Sequence, residues 1–334
     1  MKKSHQRIAL VASLLSLAAA SAQAQSNVSL YGLVDMSIGA TKAPGGTSVT
    51  GIDSGKMTTS YYGMGASEDL GGGLSAVFKL EGFFQGDTGA QGRFTGDAQF
   101  ARTASVGLSH RDYGTLTLGR NTTQLFVSTL MFNAFGDSFG YSPSIRHYFA
   151  GGQGVTTGDT GWNDSIAYSS PTFAGLRFGV AAATKESALG TGNSGNLSVS
   201  VGYSNGPLAA SLVVQDVEKD TAVAVANTTT SQLGASYDFG VAKAFAQYGR
   251  VKNDSTGAKH DITGLGVRVP VGAGAVIAQW GELDAKVGAD RTTISVGYLH
   301  NLSKRTELYA VLMHDKVDGL SSGGGYSLGI RHRF

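Results

Sequence analysis

The sequence predicts an all-β protein, a transmembrane, antiparallel, 16-stranded β-barrel. Three observations carry that expectation. Apolar and small polar residues alternate at period two from near one end of the chain to the other, the pattern of strands with two different faces. Sixteen such segments can be counted, joined by connections that alternate between short and long. The 334 residues include 49 glycines but only 5 prolines, which suits many strands joined by tight turns. The same composition excludes other classes. Without cysteine there is no disulfide scaffold, thiolate zinc site or cysteine nucleophile. A formal net charge of +2 gives no reason to expect nucleic acid as a partner.

The first segment stands outside the fold. Lys2, Lys3 and Arg7 form a basic start, Ile8 to Ala20 is apolar, and Ala22-Gln23-Ala24 places small residues where a signal peptidase reads them. Residues 1–24 are therefore expected to be a signal peptide and residues 25–334 the barrel. Removing three basic residues leaves 23 Lys/Arg against 24 Asp/Glu, a mature net charge of −1.

The strands follow in order, centred near Val34, Tyr62, Phe78, Ser105, Leu118, Tyr168, Val180, Val201, Val213, Ala235, Phe245, Leu265, Ile277, Val296, Val311 and Leu328. In the first, Val28, Leu30, Val34, Met36 and Ile38 oppose Ser29, Tyr31, Asp35 and Ser37. In the last, Tyr326, Leu328, Ile330 and Phe334 oppose Ser327, Gly329, Arg331 and Arg333. The phase blurs over residues 102–109 and 306–314, where both faces carry apolar residues.

Short connections are expected at 71–73, 112–114, 171–175, 205–207, 238–240, 270–272 and 301–305, each built from Gly, Asn, Asp, Pro or Ser. The others are longer, such as 41–55, 185–196 and 315–324, and the third, from 121 to about 163, exceeds them all. Every proline falls in a connection, as sheets require. Tyr168, Tyr203, Tyr237 and Tyr298 each precede a short turn, which would make an aromatic girdle at one membrane interface. A soluble barrel turns its apolar face inward. Here the small polar face would line a wide lumen, and an even strand number leaves no open edge in lipid.

Several motifs resemble the general porins of Gram-negative bacteria, in their β-proteobacterial branch. They are Ser29-Leu30-Tyr31-Gly32-Leu33-Val34-Asp35, Ser67-Glu68-Asp69-Leu70-Gly71-Gly72-Gly73-Leu74, Gly107-Leu108-Ser109, Leu118-Gly119-Arg120-Asn121 and the ending Gly329-Ile330-Arg331-His332-Arg333-Phe334. The resemblance spans the mature chain. It implies an outer-membrane homotrimer that passes small hydrophilic solutes and ions, with a third loop folded inward to narrow the pore. It also implies that Tyr326, Leu328, Ile330 and Phe334 mark the chain for the barrel-assembly machinery, with His332 interrupting that apolar series. Outer-membrane lipid is the remaining expected partner, and no cofactor is expected.

The run Leu130-Met131-Phe132-Asn133-Ala134-Phe135-Gly136-Asp137 is too apolar for a free external loop, which suits packing against the inner wall. Opposed charges across a narrow aqueous pore set its ion preference. The expected basic wall is Arg102 and Arg120 with Lys79 beside them. Asp137 is the acidic partner on the loop, Arg146 and Asp159 lie further along it, and Glu81 and Asp35 lie on faces that read as luminal. The family often presents an arginine and a lysine on the second strand, where this chain has Tyr61 and Gly65, so its ion preference stays open.

Catalysis has no support in the residues. The seven histidines show no metal-ligand spacing, the glycine runs at 71–73 and 151–154 lack a phosphate-binding lysine, and no Gly-x-Ser-x-Gly occurs. Two alternatives to a diffusion channel remain. One is a substrate-selective channel with a binding site in the constriction, the other a barrel that displays loops as an adhesin or receptor.

Overall fold

The computed structural model describes residues 28–149, 155–156, 159–184, 195–218, 227–254 and 256–334. The signal-peptide expectation and the 151–154 glycine run lie outside them, as does most of the 185–196 connection.

Strands β1 (Ser29–Lys42) to β17 (Gly323–Arg333) form one closed antiparallel sheet. Between them run β2 (Ser48–Ser54), β3 (Tyr61–Gly71), β4 (Leu74–Phe83), β5 (Thr103–His110), β6 (Gly114–Thr122), β7 (Gly161–Ser169), β8 (Leu176–Ala183) and β9 (Asn196–Asn205). The circuit continues through β10 (Leu208–Val217), β11 (Thr228–Asp238), β12 (Lys243–Asn253), β13 (Lys259–Val271), β14 (Gly274–Ala285), β15 (Arg291–Asn301) and β16 (Thr306–Val317). All sixteen expected centres fall inside strands. The seventeenth strand arises because the second wall strand is broken. β2 pairs with the later half of β1, from Met36↔Ser54 to Lys42↔Ser48, and β3 with its first half, from Ser29↔Gly65 to Leu33↔Tyr61. Residues 55–60 leave the ladder between them, so the wall counts sixteen strands.

β17 closes the circuit against β1, from Leu33↔Arg333 to Lys42↔Gly324. Phe334 adds mutual backbone hydrogen bonds with Gly32 at 3.2 Å. Closure satisfies the backbone groups that an open edge would strand in hydrocarbon.

The faces are inverted relative to a soluble protein. On β15, Thr293 and Ser295 are fully buried while Ile294 and Val296 are exposed. On β17, Ser327 is buried and Tyr326, Leu328, Ile330 and Phe334 are exposed on the outer surface. Buried hydroxyls with exposed aliphatics describe a wall with lipid outside and polar contents inside. Tyr168 and Tyr237 are exposed beside the short turns, as a girdle requires. Among the described residues no helix is long and apolar enough to cross a membrane.

Three expectations about connections need correction, the first being that Pro270 lies not in a turn but near the end of β13, opposite Ala275, so that the turn narrows to 272–273. The 41–55 and 315–324 segments are mostly strand, leaving only 43–47 and 318–322 as turns. The strict length alternation fails as well: 254–258, 286–290 and 318–322 are each five residues long, shorter than the 170–175 turn at the other end. Polar residues that continue the period-two ladder beyond the apolar band look like loop in sequence.

The third connection runs between β6 and β7 and contains helices α1 (Gln124–Met131) and α2 (Pro143–Phe149). Thr123 caps α1, its side chain accepting from the Phe126 N–H, and Pro143 opens α2 where its missing N–H costs nothing. The connection is packed against the wall. Met57, Phe135 and Tyr141 cluster with Phe245, Ile277, Leu299, Tyr309 and Val311. Leu125 and Tyr148 cluster with Val213, Val251, Ile262 and Leu283. This explains the blurred phase of β16, where Leu308 and Leu312 point outward and Tyr309 and Val311 point inward to meet the connection.

Candidate pore constriction

The break in the second wall strand receives the tip of the third connection. Asp35, fully buried on β1, accepts the N–H groups of Met57 at 2.7 Å and Thr58 at 2.8 Å, and the Tyr309 hydroxyl at 2.7 Å. The carboxylate thus replaces the ladder partners that residues 55–60 gave up. The Lys56 carbonyl, so exposed, accepts from Ser138 Oγ at 2.7 Å and from the Gly140 N–H at 3.1 Å. A Cβ on Gly140 would lie 2.6 Å from that carbonyl oxygen, so only glycine permits the approach.

Asp137 sits beside this latch. It accepts from Thr58 Oγ1 at 2.9 Å, and Thr58 Oγ1 accepts from Arg331 Nη1 at 2.8 Å. Residues 133–137 and the wall enclose a cavity of about 360 Å³, lined also by Arg102, Arg268, Arg331 and Arg333. Two of these arginines are paired. Arg102 lies 3.2 Å from Glu81, its guanidinium 4.2 Å from the centre of the Tyr61 ring. Arg331 pairs with the buried Glu307. Arg268 and Arg333 have no ion-pair partner among the described residues. The carboxylates nearby are committed: Glu81 also accepts from Tyr31 at 2.8 Å and Thr103 at 2.7 Å, and Lys79 approaches it to 4.0 Å. Arg331 and Glu307 cancel, Lys79 and Arg102 share the single carboxylate of Glu81, and Arg268 and Arg333 outnumber Asp137.

The six expected constriction residues therefore separate. Lys79, Glu81 and Arg102 form one group on the wall, and Asp137 lies at the loop tip. Of the six, only Arg102 and Asp137 line the cavity; Lys79 and Glu81 stand behind Arg102, and Arg120 and Arg146 lie elsewhere. Arg120 binds Asp159 at 2.6 Å, Asn163 at 2.7 Å and the Ala101 carbonyl at 2.6 Å, holding the root of the third connection. Arg93 binds the same Asp159 at 2.9 and 3.0 Å. Burial would raise the Asp159 carboxyl, but Arg93, the Thr160 N–H and then Arg120 outweigh it and hold it at about 2.

Arg146 anchors the other side. It donates to the buried Asp315 at 2.9 Å, and Arg291 donates to the same carboxylate at 2.8 Å. Thr293 Oγ1 gives its only proton to Asp315, so its 3.0 Å contact with His147 Nε2 makes the imidazole the donor. Burial, then the charge of Arg291, pushes His147 down to about 3, and it stays neutral at ordinary pH. Among the described residues no cluster of His, Asp and Glu is placed to hold a metal ion.

The sequence reading missed Arg268, Arg331 and Arg333 as cavity residues. The signal was in the phase, since Arg331 and Arg333 alternate with the outward Ile330 and Phe334, and Arg268 shares its phase with the inward Gly264 and Gly266.

Comparison with known proteins follows the same lines. A family profile described as Gram-negative porin matches residues 9–320. Outer membrane porin protein 32 of Delftia acidovorans is 36% identical, covering 100% of both chains. An outer membrane porin protein of Bordetella pertussis is 29% identical, covering 97% of this chain and 99% of its own. Among solved structures, an anion-selective porin from Comamonas acidovorans is 34% identical, with TM-score 0.80 over 93% of this chain and 100% of that one. An outer membrane protein of Vibrio cholerae, solved in a trimer form, shares the fold at 16% identity and TM-score 0.69, covering 92% of this chain and 99% of that one.

Proposed function

The chain belongs to the Gram-negative porin family, as an outer-membrane channel for passive diffusion of small hydrophilic solutes and ions, and we propose that its constriction passes anions in preference to cations. The observation that carries the preference is that Arg268 and Arg333 face the cavity without ion-pair partners among the described residues, while Glu81 and Glu307 are already paired and Asp137 alone opposes the two. In a narrow pore with low-dielectric walls, uncompensated fixed charge concentrates the opposite ion. Tyr61 removes the arginine expected on the second strand but stacks on Arg102, and the basic character moves to β13 and β17. The anion selectivity of the Comamonas protein agrees in sign. The zero-current potential across a KCl gradient tests this: an anion-selective sign supports it, and a cation-selective sign overturns it.

Lys79, Glu81, Arg102 and Asp137 belong to this constriction, with Arg120 and Arg146 acting through the placement of the loop. The working assembly is a homotrimer, embedded in outer-membrane lipid and doing no catalysis. Residues 1–24 direct export, and Tyr326, Leu328, Ile330 and Phe334 serve as the assembly mark for the barrel-assembly machinery. N-terminal sequencing of the purified protein should begin at Gln25. Native mass measurement should return three copies.

A further inference from the structure

A second cavity, of about 510 Å³, lies between α1 and the wall formed by β6 to β10. Its lining combines groups that a plain diffusion path does not need. Val127 and Met131, one helical turn apart on α1, are respectively 39% and 55% exposed, although their neighbours Leu125 and Phe132 are buried. They form an apolar shelf facing a wall on which hydroxyls such as Thr117, Ser200 and Ser211 alternate with small apolar residues such as Ala209 and Ala210, and an accommodating one, because methionine adapts its shape to what it touches. Across from the shelf, a Cβ added at Gly202 would meet nothing nearer than backbone oxygens at 3.9 Å, leaving an open floor. Arg177, exposed and in phase with the inward Gly179 and Ala181, completes the lining and has no ion-pair partner among the described residues. An apolar shelf beside a cation that is unpaired among the described residues, in a cavity of this size, has the form of a small-molecule site.

We propose that this cavity is a binding subsite for organic anions with a flat apolar body, aromatic carboxylates above all. Val127 and Met131 cover the ring, and Arg177 takes the carboxylate. The subsite stands apart from the constriction and rests on the anion preference proposed above, since the solute must be one that the channel admits.

The test is chloride current through the purified oligomer in a planar bilayer, titrated with sodium benzoate or sodium acetate. Benzoate is expected to halve the current at about a tenfold lower concentration than acetate, the ratio expected from burying one ring face. Met131→Gln should shrink that ratio severalfold, and Arg177→Gln should raise the benzoate concentration needed. Taking the ratio within each variant removes any change in the conductance itself. Equal potency of benzoate and acetate in the unaltered channel would overturn the subsite, as would a benzoate effect unchanged in both variants. The zero-current potential in KCl alone separates the two claims: an anion-selective sign with no benzoate preference leaves the constriction intact and removes only the subsite.

Discussion

The arginines inside this barrel fall into two populations. Arg93, Arg120, Arg146 and Arg291 are tied to Asp159 or Asp315 at the edges of the third connection. Arg268 and Arg333 face a cavity and have no ion-pair partner among the described residues. The residue type is the same and the consequences are opposite. A paired, buried arginine fixes structure and adds almost nothing to the field in the pore. An unpaired one adds little to the packing, and in the proposed constriction it is the charge that sets which ion enters. The difference lies in the partner, so counting basic residues along the strands would misjudge both stability and selectivity.

The largest effect should come from breaking an anchor. Asp315→Ala leaves Arg146 and Arg291 close together without their carboxylate, which costs about 3–5 kcal/mol when a buried pair loses one member. The third connection should come loose, read as a lower urea midpoint in vesicles and a larger single-channel conductance.

Acid should attack the same population. Unfolded His147 takes up a proton below about pH 6.5, while the packed side chain refuses it until about pH 3, so stability falls as pH drops through that window. Asp159 acts in the same direction lower down, its contribution present above about pH 3.9 and lost toward about pH 2. The urea midpoint at about pH 4 should therefore lie below that at about pH 7, and His147→Gln should reduce the difference.

Asp35→Asn sharpens the comparison from the side of the latch. Two charge-assisted backbone hydrogen bonds weaken, at a cost of about 1.5–3 kcal/mol. Residues 55–60 and the loop tip that rests on them should become more accessible to protease. The smallest effect on stability should come from Arg268→Gln, within about 0.5 kcal/mol, because no counter-ion is lost. Its effect on selectivity should still exceed that of Arg120→Lys, which keeps a cation in the root clamp.

Much of this was legible in the sequence. Period-two alternation located every wall strand, because a barrel between lipid and water gives each face one kind of neighbour. Where a third neighbour intervenes, the pattern breaks. Tyr309 and Val311 share one cluster with Phe135 and Tyr141 of the third connection, and that contact is why the phase blurs. Asp315 reads as the start of a loop, since Asp315 and Lys316 follow His314 without an apolar pair, yet β16 runs on to Val317 and buries it. Arg120 and Arg146 stand out as charges near the loop, but the sequence does not say that Asp159 and Asp315 hold them. The strand break at 55–60 has no turn proline to announce it. It is stabilised by Asp35, twenty residues earlier, and by Ser138 and Gly140 from the third connection.

The central claim is that unpaired arginines, not the total charge, decide which ion passes. The zero-current potential across a KCl gradient, measured for the unaltered channel and for the Arg268→Gln/Arg333→Gln double variant, tests it most directly. The account predicts an anion-selective potential that moves toward zero or reverses in the double variant. A cation-selective potential in the unaltered channel, or an anion-selective one that the double variant leaves in place, would contradict it.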